Sequence, residues 1–243
     1  MQSKTDNSNI IKRVYQSLKG SVISNQFPAG ERLNIEALAE DLRVSITPVR
    51  ESLLRLVAEG LIITVPKMGF FMKTLSEADI RNLYELNHVL VDWSVSCLIA
   101  DAIPGSVVGV PEFSVLRKKL TLLKAPSDEV IANSVGQLFE ACAKRSGNSE
   151  ILLRVENVND RLNYIRICEA RMQTAPLDPL LLILQYGSEG NYDELRKALN
   201  TQFDLSLRLL PHVMRQGIFP VVPVVEELVV ESVIQVPKKD WRQ

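Results

Sequence analysis

The sequence predicts a mainly α protein: an N-terminal winged helix-turn-helix followed by an all-α antiparallel helical bundle. Three observations carry this reading. Residues 9–59 hold three apolar stripes at helical spacing, separated by short polar turns. Two β-rich runs around Pro66-Lys67-Met68-Gly69 come next, a hairpin signal. Beyond about Leu75 the helical patterns are interrupted only by Pro and Gly.

The head comes first. Ile10, Val14, Leu18 and Val22 fall four residues apart, one stripe on a helix over 9–24. Residues 1–8 are polar and are expected to be a disordered lead-in. Pro28 and Gly30 make a turn, and Asn34 can cap a second helix with the stripe Ile35, Leu38, Ala39 and Leu42. Arg43-Val44 is the next turn. A third helix starts at Ser45 or Thr47 and turns Val49, Leu53, Leu56 and Val57 inward. Pro48 is tolerated in its first turn, where the missing N–H would have no helical partner. Strands over Leu61–Val65 and Phe70–Thr74 then close a wing.

Ser76-Glu77-Ala78-Asp79 resembles a capping box, which places a domain boundary near Leu75. Helices are expected at about 77–101, 111–124, 128–146, 149–173, 179–188 and 192–216. Their inward stripes include Ile151, Val155, Val158, Leu162 and Ile165, and later Leu195, Leu199, Gln202, Ser206 and Leu209. The organisation expected is a head over 9–75, a helical body over 76–217 and a tail over 218–243. The Val-rich tail fits a helix or an added strand equally.

At 243 residues the chain has room for two cores. Its formal net charge is −1, so it offers no bulk attraction to polyanions. The charge is uneven. Residues 1–75 carry 10 Lys/Arg and 7 Asp/Glu, a net of +3; residues 76–243 carry 18 and 22, a net of −4. A basic head on an acidic body suits contact with nucleic acid at one end. Cys97, Cys142 and Cys168 have no CxxC spacing and read as reduced thiols. No apolar run approaches the ~18 residues of a membrane span, and the start of the chain lacks the apolar core of a signal peptide. The expectation is a cytoplasmic protein without a membrane partner.

The stretch PAGERLNIEALAEDLRVSITPVRESLLRLVAEGLIITVPKMGFFM, residues 28–72, resembles the DNA-binding domain of the GntR family of bacterial transcription regulators. The matching pieces are PAGERL, the LA of EALAEDL, VSxTPVRESLLRL, the EGL that opens the wing and the glycine at the wing tip. The helical remainder is similar to the FCD effector domain of the FadR-like subfamily. SEADIRNLYEL, Ser146-Gly147-Asn148 and GNYDELRKALNTQF carry that second likeness.

The resemblance implies a transcription regulator with double-stranded DNA as its partner. Two heads on a homodimer would read a pseudo-palindromic operator. The residues implied in DNA contact are Arg32, Ser45, Ile46, Thr47, Arg50, Lys67 and Gly69. A guanidinium such as that of Arg50 can grip guanine O6/N7 or a phosphate; the alternative is an ion pair with Glu51 or Glu36. Ser45 and Thr47 can bond phosphate or bases, or only cap the helix. Arg32 and Lys67 suit phosphate. Gly69 lets the backbone approach the groove or merely turns the chain. Relatives often carry Arg where Ile46 stands; Ile46 can pack on a thymine methyl instead. Glu36 stands where some relatives carry a contacting Arg, and its charge keeps it out of the site.

Many FCD domains hold a divalent metal through an Asp and three His. Here those positions fall at Gly136, Glu140, Gln202 and near Leu180, so no metal and no other cofactor is expected. Asn87 replaces an Arg common in the first FCD helix. A small organic acid remains the effector that the resemblance implies, with Glu140, Arg161, Tyr164 and Gln202 as candidate contacts and Arg154 and Arg166 as further cations on the same helix. Glu140 can instead pair with Lys144, and Gln202 can bond a neighbouring helix. No nucleophile elbow, phosphate loop, paired-His motif or Cys–His arrangement is present, so an enzyme is not expected. Two readings of the regulator remain: a repressor released by the acid, or an effector-independent protein whose body only dimerises.

Overall fold

The computed structural model describes residues 2–100 and 109–215, with side chains from residue 9 onward. The expected break at Pro104-Gly105 and the expected tail lie outside these residues. The described chain divides into two compact units, one up to Thr74 and one from Leu75 onward.

The first unit runs α1 (Gln2–Ile23), β1 (Arg32–Leu33), α2 (Ile35–Asp41), α3 (Ile46–Ala58), β2 (Ile62–Val65) and β3 (Gly69–Met72). The three strands form one antiparallel sheet in the order β1-β3-β2, with Arg32 opposite Phe71 and Val65 opposite Gly69. Val14, Leu18, Val49, Leu53, Leu56 and Ile62 make its core. Helix α1 corrects the expectation of a disordered lead-in, since its backbone is helical from Gln2. No Pro or Gly lies between Gln2 and Lys19, and extending a helix already nucleated costs little. Ile10, expected to face inward, is exposed.

Both turns flanking α3 are fixed by the same device. At the end of α2, Arg43 takes φ 53°, its N–H donates to the Glu40 carbonyl and that of Val44 to Ala39. At the end of α3, Gly60 takes φ 73°, its N–H donates to Val57 and that of Leu61 to Leu56. These are Schellman caps, which satisfy carbonyls that the helix leaves open. Glu59 of the EGL motif turns back to α1: the Tyr15 hydroxyl donates to both its carboxylate oxygens at 2.7 and 2.9 Å, and Lys19 and Arg55 pair with it. Burial acts to raise the Glu59 pKa, but the Tyr15 hydroxyl and the two cations outweigh it and hold it below the ordinary value. That motif therefore locks α3 to α1.

The second unit is wholly helical among its described residues: α4 (Glu77–Ala100), α5 (Pro111–Leu122), α6 (Asp128–Arg145), α7 (Ser149–Met172), α8 (Leu177–Ser188) and α9 (Tyr192–Arg215). Helix α7 packs on α4, α6 and α9, while α5 packs on α8. From Leu162 to Ala170 only Tyr164 of α7 is not buried, so this helix is the centre of the body. In α9, Leu195, Leu199 and Ser206 are buried as expected, while Phe203 and Leu210 take the inward places of Gln202 and Leu209. Phe203 and Leu210 are buried, whereas Gln202 is half-buried.

Gly187 permits the α5–α8 contact. A Cβ there would stand 1.9 Å from Phe113 Cδ2, and Phe113 is fully buried. The Gly187 carbonyl also accepts from the Val110 N–H at 3.0 Å. Gly187→Ala is expected to lower the stability of the body by about 1–3 kcal/mol through overpacking, despite its better helix propensity. Urea unfolding measures this, and an unchanged midpoint would contradict the contact.

Candidate nucleic-acid interface

The first turn of α3 is built to leave its polar groups outward. Ser45 is the N-cap, yet its side chain makes no cap hydrogen bond. The acceptor of such a bond needs an N–H two or three residues into the helix, and the third position is Pro48. Its ring removes that donor. The Ser45 hydroxyl thus stays outward with Ile46, Thr47 and Arg50, all exposed. Ile46 is 43% exposed, high for an isoleucine next to a hydrophobic core.

Arg50 makes no ion pair among the described residues, with Glu51, Glu36 or any other acid. It lines an open groove between α3 and the wing together with Arg32, Glu36, Lys67 and Gly69. Arg32 and Lys67 are likewise exposed and without an ion pair among the described residues. The Arg32 guanidinium lies over Gly69, with Nε 3.7 Å from where a Cβ would be. That is ordinary contact. What asks for glycine is the backbone, at φ 109°.

The wing tip is a turn closed by the Met68 N–H on the Val65 carbonyl at 3.1 Å. Pro66 takes its second position, and Lys67 its third with φ 64°. A non-glycine residue there costs on the order of 1 kcal/mol, and its side chain is thrown outward. The structure thus gathers Arg32, Arg50, Lys67 and Gly69 around one groove, with Ser45, Ile46 and Thr47 exposed at the start of α3. Sequence reasoning missed Leu54 and Met68, which line the same groove and are exposed. Leu54 follows Arg50 by one turn, off the inward stripe, and that offset was its available signal. Glu36 also lines the groove, in the first turn of α2, where an acid suits the helix dipole.

The body contains a second feature, a cavity of about 30 Å³ between α4, α6, α7, α8 and α9. Tyr84 donates to Glu169 Oε1 at 2.7 Å and Ser206 Oγ to Glu169 Oε2 at 3.1 Å. Burial pushes the Glu169 carboxyl up to about 7, against the lowering effects of those hydroxyls and of Arg166. Arg166 Nη1 donates to Asn159 Oδ1 at 2.9 Å, and Asn159 Nδ2 donates to the Gly136 carbonyl and to Glu140 Oε1.

Of the four candidate effector contacts, the cavity is lined by Gln202, together with Tyr84, Arg166, Glu169 and Ser206. Gln202 makes no side-chain hydrogen bond among the described residues. Glu140 stands one step behind the cavity, held by Asn159 rather than by Lys144; burial, the largest influence, raises its pKa. Arg161 and Tyr164 are placed outside the cavity lining. They lie on other faces of α7: Arg161 is near Asp79, and Tyr164 is near Cys168. Among the described residues no group of three His, Cys, Asp or Glu is arranged to hold a metal, and no helix is long and apolar enough to cross a membrane.

Comparison with known proteins agrees with the head's geometry. Residues 10–72 match the family described as bacterial regulatory proteins, gntR family. The Nta operon transcriptional regulator of Aminobacter aminovorans is 34% identical over 148 residues, spanning 59% of this chain and 67% of that protein. The chain belongs to the GntR family. Solved structures extend the likeness of fold over both units of this GntR-family protein. A GntR transcriptional regulator of Rhodococcus sp. RHA1 has a TM-score of 0.67 at 19% identity, covering 83% of this chain and 97% of that one. Escherichia coli McbR/YncC has a TM-score of 0.65 at 21% identity, covering 85% and 98%. The protein is a DNA-binding transcription regulator of the GntR family.

Proposed function

We propose that the chain is a dimeric repressor that reads a pseudo-palindromic operator through Ser45, Ile46, Thr47 and Arg50, and is released by a small organic acid bound in its helical body without a metal. The observation that carries the reading is the groove beside α3, where Arg32, Arg50 and Lys67 stand exposed without ion pairs among the described residues. Unpaired cations on one side of a unit are the footprint of phosphate and base contact. Arg32, Lys67 and the Gly69 backbone take phosphates or the groove edge. The head over 9–75 serves as reader and the body over 76–217 as sensor and dimerisation unit.

Dimerisation is supported by α4. Leu86, Val89 and Trp93 follow one another at helical spacing and are all exposed. An apolar stripe of this kind is buried against a partner more often than left to water. A single head binds weakly, so two are needed for usable affinity. Release follows if the acid favours one arrangement of the two heads over the other.

Selection from a random duplex pool with the full chain is the test. The recovered site is expected to be an inverted repeat with half-sites about one helical turn apart, bound by a species of twice the monomer mass. Recovery of a lone half-site by a monomer overturns the dimeric reading. An operator complex that no organic acid dissociates supports the rival, a regulator without an effector.

A further inference from the structure

We propose that Arg43, in the turn between α2 and α3, is a phosphate clamp that seats the start of α3 on the DNA backbone. The proposal rests on the reading of α3 as the helix that enters the major groove. It adds a cation that lies outside both the VSxTPVRE pattern and the groove beside the wing.

The backbone at Arg43 asks for a different residue. Among the described residues a positive φ is taken by five glycines and by Asn25, Arg43 and Lys67. Glycine adopts that conformation freely, and asparagine tolerates it through its short polar side chain. Arg43 and Lys67 have neither advantage. The turn needs the conformation at Arg43, where φ is 53°, because its N–H and that of Val44 reach back to the Glu40 and Ala39 carbonyls at 3.0 Å each. Glycine would close this turn with less strain. What arginine adds there is its guanidinium.

That guanidinium is uncommitted. Arg43 is exposed and makes no ion pair or side-chain hydrogen bond among the described residues, although Glu40 and Asp41 precede it closely. Its fork of donors matches a phosphate. Its place fits too. Arg43 stands two residues before Ser45, the N-cap of α3. A recognition helix points its N-terminal residues at the base edges, so a side chain just ahead of that end meets the phosphates at the lip of the groove. Lys67, the other cation held at positive φ, lines the groove beside the wing, and Arg43 does not. The two therefore grip the backbone at separate points.

The test uses the full chain and the duplex that it selects from a random pool, with affinity measured from about 0.05 to about 0.2 M salt. Arg43→Gly is expected to bind about ten-fold more weakly per head at the lower salt, with a salt slope shallower by about one per head. The loss should be equal on duplexes permuted at single base pairs, since phosphates carry no sequence. The same variant relaxes the turn, so it should melt no lower than the native chain. Arg43→Lys keeps the charge on the same strained backbone and should recover most of the slope. A slope unchanged in Arg43→Gly overturns the proposal. So does a loss confined to one base pair, which would make Arg43 a reader of bases, or a lower melting temperature, which would make it a support of the turn. Arg43→Lys with no more slope than Arg43→Gly overturns it as well. A native chain that selects no duplex refutes the reading of α3 on which the proposal stands.

Discussion

Replacing Arg50 by Ala is expected to lower operator affinity about 5- to 150-fold, the equivalent of about 1–3 kcal/mol, and to relax sequence preference at one base pair per half-site. The size follows from what the side chain is free to do. Arg50 stands one turn into α3, exposed and with no ion pair among the described residues. Truncating it breaks nothing in the free protein, so the loss falls on the complex. Arg55, one turn and a residue further, is the contrast. It pairs with Glu59 at 3.1 Å and lies over the Tyr15 ring at 3.7 Å, so Arg55→Ala should loosen the head without shifting base preference. Fluorescence anisotropy on permuted operators separates the possibilities. A uniform loss across sequences, with a salt slope shallower by about one, would mean that Arg50 holds a phosphate. Unchanged affinity would remove it from the interface altogether.

Ile46 tempers what can be carried over from relatives. At the first position of α3 it offers no hydrogen bond, and nearby Leu54 and Met68 add apolar surface to the groove's edge. Apolar contact in the major groove selects thymine by its methyl group. The base preferences of this head are therefore expected to follow from its own exposed side chains more than from the shared VSxTPVRE pattern.

The parts of the fold legible in the sequence were those with a period. Stripes such as Val49, Leu53 and Leu56, or Val155, Val158 and Leu162, each mark one buried helix face. Strand β1 had no such mark. Arg32-Leu33 is a strand only because Phe70 and Phe71 lie beside it, and two residues show no alternation. The exposure of the head's candidate residues was legible because a surface helix shows its polar groups on one side. The body's cavity was not. Helix α7 is buried on nearly every face from Leu162 to Ala170, so periodicity cannot tell which polar residue meets empty space. Arg161 and Arg166 look equivalent in sequence. Packing leaves Arg161 half-buried near Asp79 of α4 and makes Arg166 a wall of the cavity. Asn87 shows the same limit: it is fully buried with both amide atoms unbonded, which no pattern in α4 announces.

Glu169→Gln should change how the stability of the body depends on pH. The Glu169 side chain is 3% exposed, and burial lifts its pKa from 4.5 to about 7. In the unfolded chain it ionises near the lower value. Between the two the folded state binds more protons than the unfolded state, so stability falls as pH rises through this window. The contribution is fully present below about pH 4.5 and fully lost above about pH 7. A shift of this size corresponds to ~3 kcal/mol. Glutamine cannot ionise, yet its carbonyl can accept from Tyr84 and its amide can donate to Ser206. Other titrating groups act in both proteins and cancel in the difference. The variant should therefore gain on the native chain by up to ~3 kcal/mol between pH 5 and pH 8. Urea unfolding at several pH values measures that difference. If it stays flat, Glu169 does not titrate in this window, and the Tyr84–Glu169–Ser206 network holds a carboxylate that is ionised throughout. In that event Arg166 has a full negative charge for a neighbour.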